Sequence, residues 1–277
     1  MTLAVRNIFF KGGIVFAALS LCLISAGGYI AFSAYPAVTA AVALRPWGII
    51  QKFIQELSKP SPYVPFWTML GAAVYSFISI ILIHYFFEKT QSPEILFLGF
   101  FVISLSFESV RIIIPLKTAL SFPSMYLITA SRVLLFGRYF GLFSLFAASV
   151  YAAGLDAQKQ QNVFFMLVLA ALVIALNVPI DSLVWDSTLM LWNGYKSMLA
   201  FLELGILLIT MITFFVSAYT RGSKAYVFIG LGTLLLFAGR SILLNSDTWI
   251  TPLPGLLILI VGTWFICARL HREYLWL

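Results

Sequence analysis

Charged residues are scarce in this chain. They make up 10% of its 277 residues, whereas hydrophobic residues make up 62%, and a soluble domain carries about 25% charged residues. Together with a mean hydropathy of +1.02, this excludes an ordinary soluble protein and predicts an integral membrane protein in contact with a lipid bilayer. The net charge of +7 does not indicate a nucleic-acid partner, because the basic residues are dispersed rather than gathered in one patch.

Histidine and cysteine are rare as well, with two of each. His84 and His271 have no second histidine or cysteine at ligand spacing, so the sequence does not predict a metal-dependent membrane enzyme. Cys22 and Cys267 lie in the first and last apolar stretches and do not support a disulfide. No Ser–His or Cys–His couple suggests an intramembrane hydrolase. We therefore expect a protein that is not an enzyme, with no catalytic residues, no metal and no cofactor.

Long apolar stretches are the main feature of the sequence. Eight of them approach the length of about 20 residues that crosses a bilayer as a helix. They predict an all-α, polytopic transmembrane bundle of about eight helices. The stretches cover residues 13–36, 65–87, 95–116, 125–154, 163–178, 197–219, 225–244 and 250–268.

The first stretch has two interpretations. A basic start (Arg6, Lys11) and the small residues Ser25 and Ala26 resemble a signal peptide. The apolar run continues through Phe32, which is long for such a peptide. We therefore favour a retained N-terminal anchor helix over a cleaved signal peptide; cleavage would leave a seven-helix protein.

Apolar residues also recur every three to four positions within residues 46–59, starting at Trp47, with glutamine and lysine between them. This spacing predicts an amphipathic helix at the outer membrane surface. We accordingly divide the chain into 1–62, a transmembrane helix plus this interfacial helix, and 63–277, a seven-helix transmembrane bundle.

The distribution of lysine and arginine predicts the orientation. If the N-terminus is cytoplasmic, eight of these residues lie on the inner side and five on the outer side. We therefore expect a multi-pass protein of the cell (inner or plasma) membrane with both termini in the cytoplasm. The inner residues are Arg6, Lys11, Lys89, Lys159, Arg221, Lys224, Arg269 and Arg272, and the outer ones Arg45, Lys52, Lys59, Lys117 and Lys196.

Six charged side chains interrupt the apolar stretches. A charge at membrane depth costs several kcal/mol unless it is paired or hydrated, so such residues indicate a functional site. At about 1.5 Å of rise per residue, five of the six fall in one layer of the outer leaflet, and Arg132 lies nearer the headgroups. Gly239 is expected to leave room for the guanidinium beside it. The six residues are Glu108, Arg111, Arg132, Arg138, Glu203 and Arg240.

Helical spacing places Ser104, Glu108 and Arg111 on one face of the third helix. We expect Glu108 or Glu203 to contact an arginine on another helix, Arg138 or Arg240 above all. The candidate ligand-binding residues are therefore Ser104, Glu108, Arg111, Arg138, Glu203 and Arg240.

Four arginines against two glutamates leave about two excess positive charges in this layer. One interpretation is structural, with the ion pairs clamping helices and the remaining arginines reaching lipid headgroups. The other is that an anionic ligand binds, since the arginine fork suits carboxylate and phosphate. Three functions follow: a receptor-like or sensory module with an outer pocket for a small anionic or polar ligand, a transporter or permease component for an anionic solute or lipid, or a structural membrane subunit. A sensory module would need a protein partner for its output.

Overall fold

The computed structural model describes residues 3–34, 59, 61, 63–88, 90, 92–180, 183–191 and 194–275. The interfacial helix predicted over residues 46–59 lies outside these ranges except for Lys59.

The described chain is helical almost throughout. A 3₁₀ segment, Leu105–Ile112, joins α3 to α4, and we call this continuous element the third span. A short 3₁₀ turn, Ala157–Lys159, precedes α6. The α-helices are α1 Leu3–Ala34, α2 Val64–Phe87, α3 Pro93–Ser104, α4 Ile113–Leu120, α5 Ser124–Ala152, α6 Gln160–Asn177, α7 Lys196–Arg221, α8 Ala225–Leu244 and α9 Pro252–Leu275.

Within the described ranges, eight helical spans are long and apolar enough to cross a membrane. The only pairing of strand type in these ranges is an isolated bridge between Trp185 and Leu191. The predicted all-α bundle of eight helices is thus confirmed, and the protein is a multi-pass helical membrane protein.

Local sequence signals determine where individual helices begin and end. The Ser92 hydroxyl accepts a hydrogen bond from the Ile95 backbone N–H at 3.4 Å, and Pro93 occupies the first turn of α3; both are preferred at a helix start. Gly222 ends α7 in the left-handed conformation, with φ 64°, which glycine adopts without a Cβ clash.

The N-terminal helix α1 is packed into the bundle. Phe10, Ala17 and Ile24 recur every seven residues and expose no surface, so one stripe of α1 lies against α2 and the third span. Arg6 donates from Nη2 to the backbone oxygens of Phe87 at 2.8 Å and Glu88 at 2.6 Å. Its positive charge therefore satisfies carbonyls at the C-terminus of α2, where the helix dipole is negative.

The third span and α5 form the centre of the molecule. In the most apolar stretch of the third span 78% of the residues are buried, against 11% for α7. Helices α6 and α7 both pack against α5, and α7 also contacts α8. The large apolar side chains that α6 and α7 expose therefore face the surrounding lipid.

Helices α8 and α9 approach each other closely at glycines. A Cβ on Gly239 would lie 2.8 Å from the Leu259 backbone nitrogen and 2.9 Å from the Gly255 oxygen. The absence of a side chain at Gly239 therefore allows the backbone of α9 to approach α8 closely. The expectation that it leaves room for the Arg240 guanidinium is wrong, because this glycine faces the neighbouring helix.

Candidate functional site

The third span changes from α-helix to 3₁₀ helix where its charged residues occur, whereas the sequence predicted a continuous helix. The Ser76 hydroxyl of α2 donates to the Val102 carbonyl at 2.7 Å and accepts from the Ser106 hydroxyl at 2.8 Å. In an α-helix the Val102 carbonyl would accept from the backbone N–H of Ser106. Instead it accepts from Leu105, the i to i+3 pattern of a 3₁₀ helix.

This 3₁₀ geometry brings Glu108 and Arg111 together. Residues three apart eclipse each other at three residues per turn. Arg111 Nη1 lies 3.3 Å from Glu108 Oε2, and both side chains are almost fully buried. The local geometry of the third span is therefore enough to bring Glu108 and Arg111 into contact.

Glu108 also forms a two-point ion pair with α5. Arg138 donates from Nε to Oε1 at 2.8 Å and from Nη2 to Oε2 at 3.1 Å. Both carboxylate oxygens are thus engaged, in the side-by-side geometry that arginine forms best. This confirms the prediction that Glu108 contacts an arginine on another helix.

Arg111 connects the third span to α8. Its Nη2 donates to the Leu244 carbonyl at 3.0 Å, at the last residue of α8. Its Nε and Nη1 are buried without a hydrogen-bond partner, although Nη1 lies within ion-pair distance of Glu108. Burying a guanidinium with unsatisfied donors is costly. The Glu108 carboxylate offsets this cost by balancing the positive charge of Arg111.

Arg240 and Glu203 are held more loosely. Arg240 Nη2 donates to the Arg138 backbone oxygen at 3.2 Å, and its Nη1 lies 4.0 Å from Glu203 Oε2. That separation exceeds hydrogen-bond length. The Glu203 side chain is 30% exposed, against 3% for Arg240, so the carboxylate is the accessible partner.

These five residues, Glu108, Arg111, Arg138, Glu203 and Arg240, form what we call the charged cluster. A cavity of about 270 Å³, the charged cavity, lies between the cluster and the connection that leads from α6 to α7. Its lining includes three cluster members, Arg138, Glu203 and Arg240. The remaining lining residues are Leu135, Tyr139, Asp186, Thr188, Met190, Leu191, Lys196, Leu199, Ala200, Ser241, Leu244 and Asn245.

The other predicted site residues lie away from the cavity wall. Glu108 and Arg111 are almost fully buried and do not line the charged cavity. The Ser104 hydroxyl donates to the Phe101 carbonyl of its own helix at 2.6 Å and packs where a Cβ on Gly141 would stand. Arg132 is exposed and outside the lining.

Sequence reasoning missed the contribution of the α6–α7 connection. Asp186 Oδ1 accepts from the Thr188 backbone N–H at 3.0 Å and hydroxyl at 2.6 Å, and from the Met190 N–H at 3.1 Å. Its Oδ2 lies 3.9 Å from Lys196 Nζ. An aspartate that bonds the backbone two residues on is the mark of an Asx turn, which is the signal that could have found this loop.

The charge balance of the cluster is smaller than the sequence suggested. Arg132 is not a member, so three arginines face two glutamates and one excess positive charge remains. The predicted excess of about two is therefore wrong, because helical phase turns Arg132 to the surface.

In the described part of the chain, no group of three or more His, Cys, Asp or Glu side chains is arranged to hold a metal ion. No protein-family model matches this sequence, and no curated protein matches it significantly. The geometry of the charged cavity is therefore the basis for a functional proposal.

Proposed function

We propose that the charged cavity binds a small anionic or polar ligand and that the protein acts as a receptor-like or sensory membrane module. The observation that carries this proposal is the convergence of Arg138, Arg240 and Glu203, from three different helices, on one cavity. Binding sites are typically concave and largely apolar, with a few convergent polar groups. This cavity is concave and combines such convergent polar groups with apolar residues such as Leu135 and Leu199, although its wall is more polar than is typical.

The acidic group of the ligand would be attracted to the arginines of the charged cluster. The excess positive charge of the cluster attracts an anion, and guanidinium donors match the geometry of carboxylate and phosphate oxygens. Such a role is one of binding rather than catalysis. A protein partner would carry the output of a sensory module.

Transport of an anionic solute or lipid is the second candidate. The observation that favours it is the 3₁₀ segment of the third span, which carries Glu108 and Arg111. A 3₁₀ stretch inside a helix often marks a hinge, and transporters use interrupted helices near their binding sites. Uptake of a labelled ligand into proteoliposomes distinguishes the two functions, because a receptor binds the ligand without accumulating it.

The proposal places the protein in the cell membrane with both termini in the cytoplasm and the charged cavity opening to the outside. The excess of lysine and arginine at the other ends of the spans supports this orientation. The test is labelling of single cysteines at positions 52 and 224 after replacement of Cys22 and Cys267. Position 52 should react from outside and position 224 from the cytoplasm; the opposite pattern would overturn this orientation.

The binding proposal is tested by a thermal-shift screen of carboxylates, phosphates and anionic lipids on purified protein. A ligand at about 100 times its Kd stabilises the fold by about 2.7 kcal/mol. Arg240→Gln should abolish that stabilisation. Arg132→Gln removes the same charge outside the cavity and should leave it unchanged. If no compound stabilises the wild-type protein, or if both variants respond equally, the protein is better described as a structural subunit.

A further inference from the structure

We infer that the ligand of the charged cavity is a small zwitterion, a molecule carrying an acidic group and an ammonium group. This inference rests on the proposed function and narrows its ligand class. It follows from the charges of the cavity wall and from the difference between the two Glu–Arg pairs.

The wall of the cavity is balanced in charge once the buried pair is set aside. Both oxygens of Glu108 are occupied by Arg138, so the charge of that arginine is already matched. The remaining charged groups in the wall are Arg240 and Lys196 against Glu203 and Asp186. A ligand carrying only negative charge would face two carboxylates, and like charges placed together disfavour binding.

The excess positive charge of the cluster lies deeper. Arg111 is enclosed and is not part of the wall of this cavity. It attracts an acidic group at a distance but offers that group no direct contact. Apart from Arg138, whose charge Glu108 matches, the wall contributes two positive and two negative side chains, an arrangement that a zwitterion matches.

The Arg240–Glu203 pair provides two receiving groups in the same wall. The two side chains are 4.0 Å apart, whereas Arg138 and Glu108 approach to 2.8 Å. No hydrogen bond has to break between Arg240 and Glu203 for a ligand to contact both. The acidic group would bind Arg240, and the ammonium group would bind the accessible carboxylate of Glu203.

The size of the cavity suits a small ligand. Pockets for drug-sized molecules run from about 300 to 1,000 Å³, and this one is about 270 Å³. A free amino acid or amine-bearing phosphate ester is of suitable size. The same chemistry occurs in the headgroup of a zwitterionic phospholipid, so the experiment must separate a free molecule from a lipid.

The test is calorimetric titration of the wild-type protein in nanodiscs made only of phosphatidylglycerol. The probes are three matched series: glycine, acetate and methylamine; β-alanine, propionate and ethylamine; 4-aminobutyrate, butyrate and propylamine. Phosphoethanolamine is compared with phosphate. At least one zwitterion should bind about tenfold or more tightly than both of its singly charged counterparts. A lipid source would instead appear as stabilisation by nanodiscs containing phosphatidylethanolamine, with no binding of the free compounds.

Variants then assign the two ends of the ligand. Glu203→Gln should remove the preference for the zwitterion over the matched acid, because the zwitterion loses the partner of its ammonium group while the acid loses a repelling carboxylate. Arg240→Gln should abolish binding of both the zwitterion and the acid, whereas Arg132→Gln should leave the binding of both unchanged. Equal affinities for acid and zwitterion in every series would overturn the inference and leave the proposed function standing. Binding of no probe and no lipid would overturn both, and this comparison on the wild-type protein does not depend on the folding of any variant.

Discussion

Glu108→Gln should destabilise the protein more than Arg138→Gln, although the two residues form one ion pair. The reason is that Glu108 has two arginine partners, Arg138 at 2.8 Å and Arg111 at 3.3 Å. Removing its charge leaves two buried guanidinium groups without their shared carboxylate. Removing Arg138 leaves Glu108 still paired with Arg111.

The structure indicates the size of this difference. Breaking a buried ion pair so that a charge remains uncompensated costs about 3–5 kcal/mol, which we expect for Glu108→Gln. Loss of hydrogen bonds to a buried group that retains another partner costs about 1–3 kcal/mol, which we expect for Arg138→Gln. The double variant should cost less than the sum of the two, with a coupling free energy of about 0.5–3 kcal/mol.

The assay is the free energy of unfolding, measured by titration of the purified protein from mild detergent into sodium dodecyl sulfate. Asp156→Asn is the matched control, because Asp156 pairs with Lys159 at 3.5 Å while both side chains are largely exposed. An exposed pair contributes about 0–1 kcal/mol. Equal losses for Glu108→Gln and Arg138→Gln, or losses that simply add in the double variant, would refute the shared-carboxylate reasoning.

Three further predictions concern packing and the N-terminal helix. Gly239→Ala should cost about 1–3 kcal/mol in the same assay, because the added methyl group forces α8 away from α9. The control is Gly205→Ala, which meets nothing within 4 Å and should be neutral or stabilise the helix by up to about 1 kcal/mol. Equal effects of the two variants would contradict the close approach of α8 and α9. Arg6→Gln should cost about 1–3 kcal/mol, because carbonyls at the end of α2 lose their hydrogen-bond donor. Lys11 is exposed, so Lys11→Gln should change the stability by no more than about 0.5 kcal/mol. An equally small effect of Arg6→Gln would show that the Arg6 contact contributes little to stability. Because α1 packs into the core, the purified protein should retain it and show an intact mass of 30.9 kDa; a mass lacking residues up to about Gly27 would instead support a cleaved signal peptide.

The fold class could be predicted from the sequence because it depends on composition and on the length of apolar runs. A bilayer leaves no water to satisfy backbone groups, so an apolar run of that length forms a helix. The predicted span 225–244 coincides with α8, and 65–87 differs from α2 by one residue. The first span began ten residues too late, since Arg6 is buried against backbone oxygens and the helix continues through it.

The partnership of Glu108 with Arg138 could also be predicted, from depth and charge alone. Two opposite charges at similar depth on different helices have a strong reason to meet, because each is costly if left unpaired. The excess of positive charge was overstated, because Arg132 was counted with the layer although its depth already placed it nearer the headgroups.

The sequence by itself determined the membrane class, the helical spans and the layer in which the charges lie, because these follow from local hydrophobicity and a constant rise per residue. Only the tertiary structure revealed the 3₁₀ segment, at whose start the Ser76 hydroxyl of another helix donates to the Val102 carbonyl. It alone brought Asp186 and Lys196 beside Arg240 and Glu203, since that placement depends on how a loop folds back over packed helices. Contacts between residues distant in sequence arise from packing, and no local pattern encodes them.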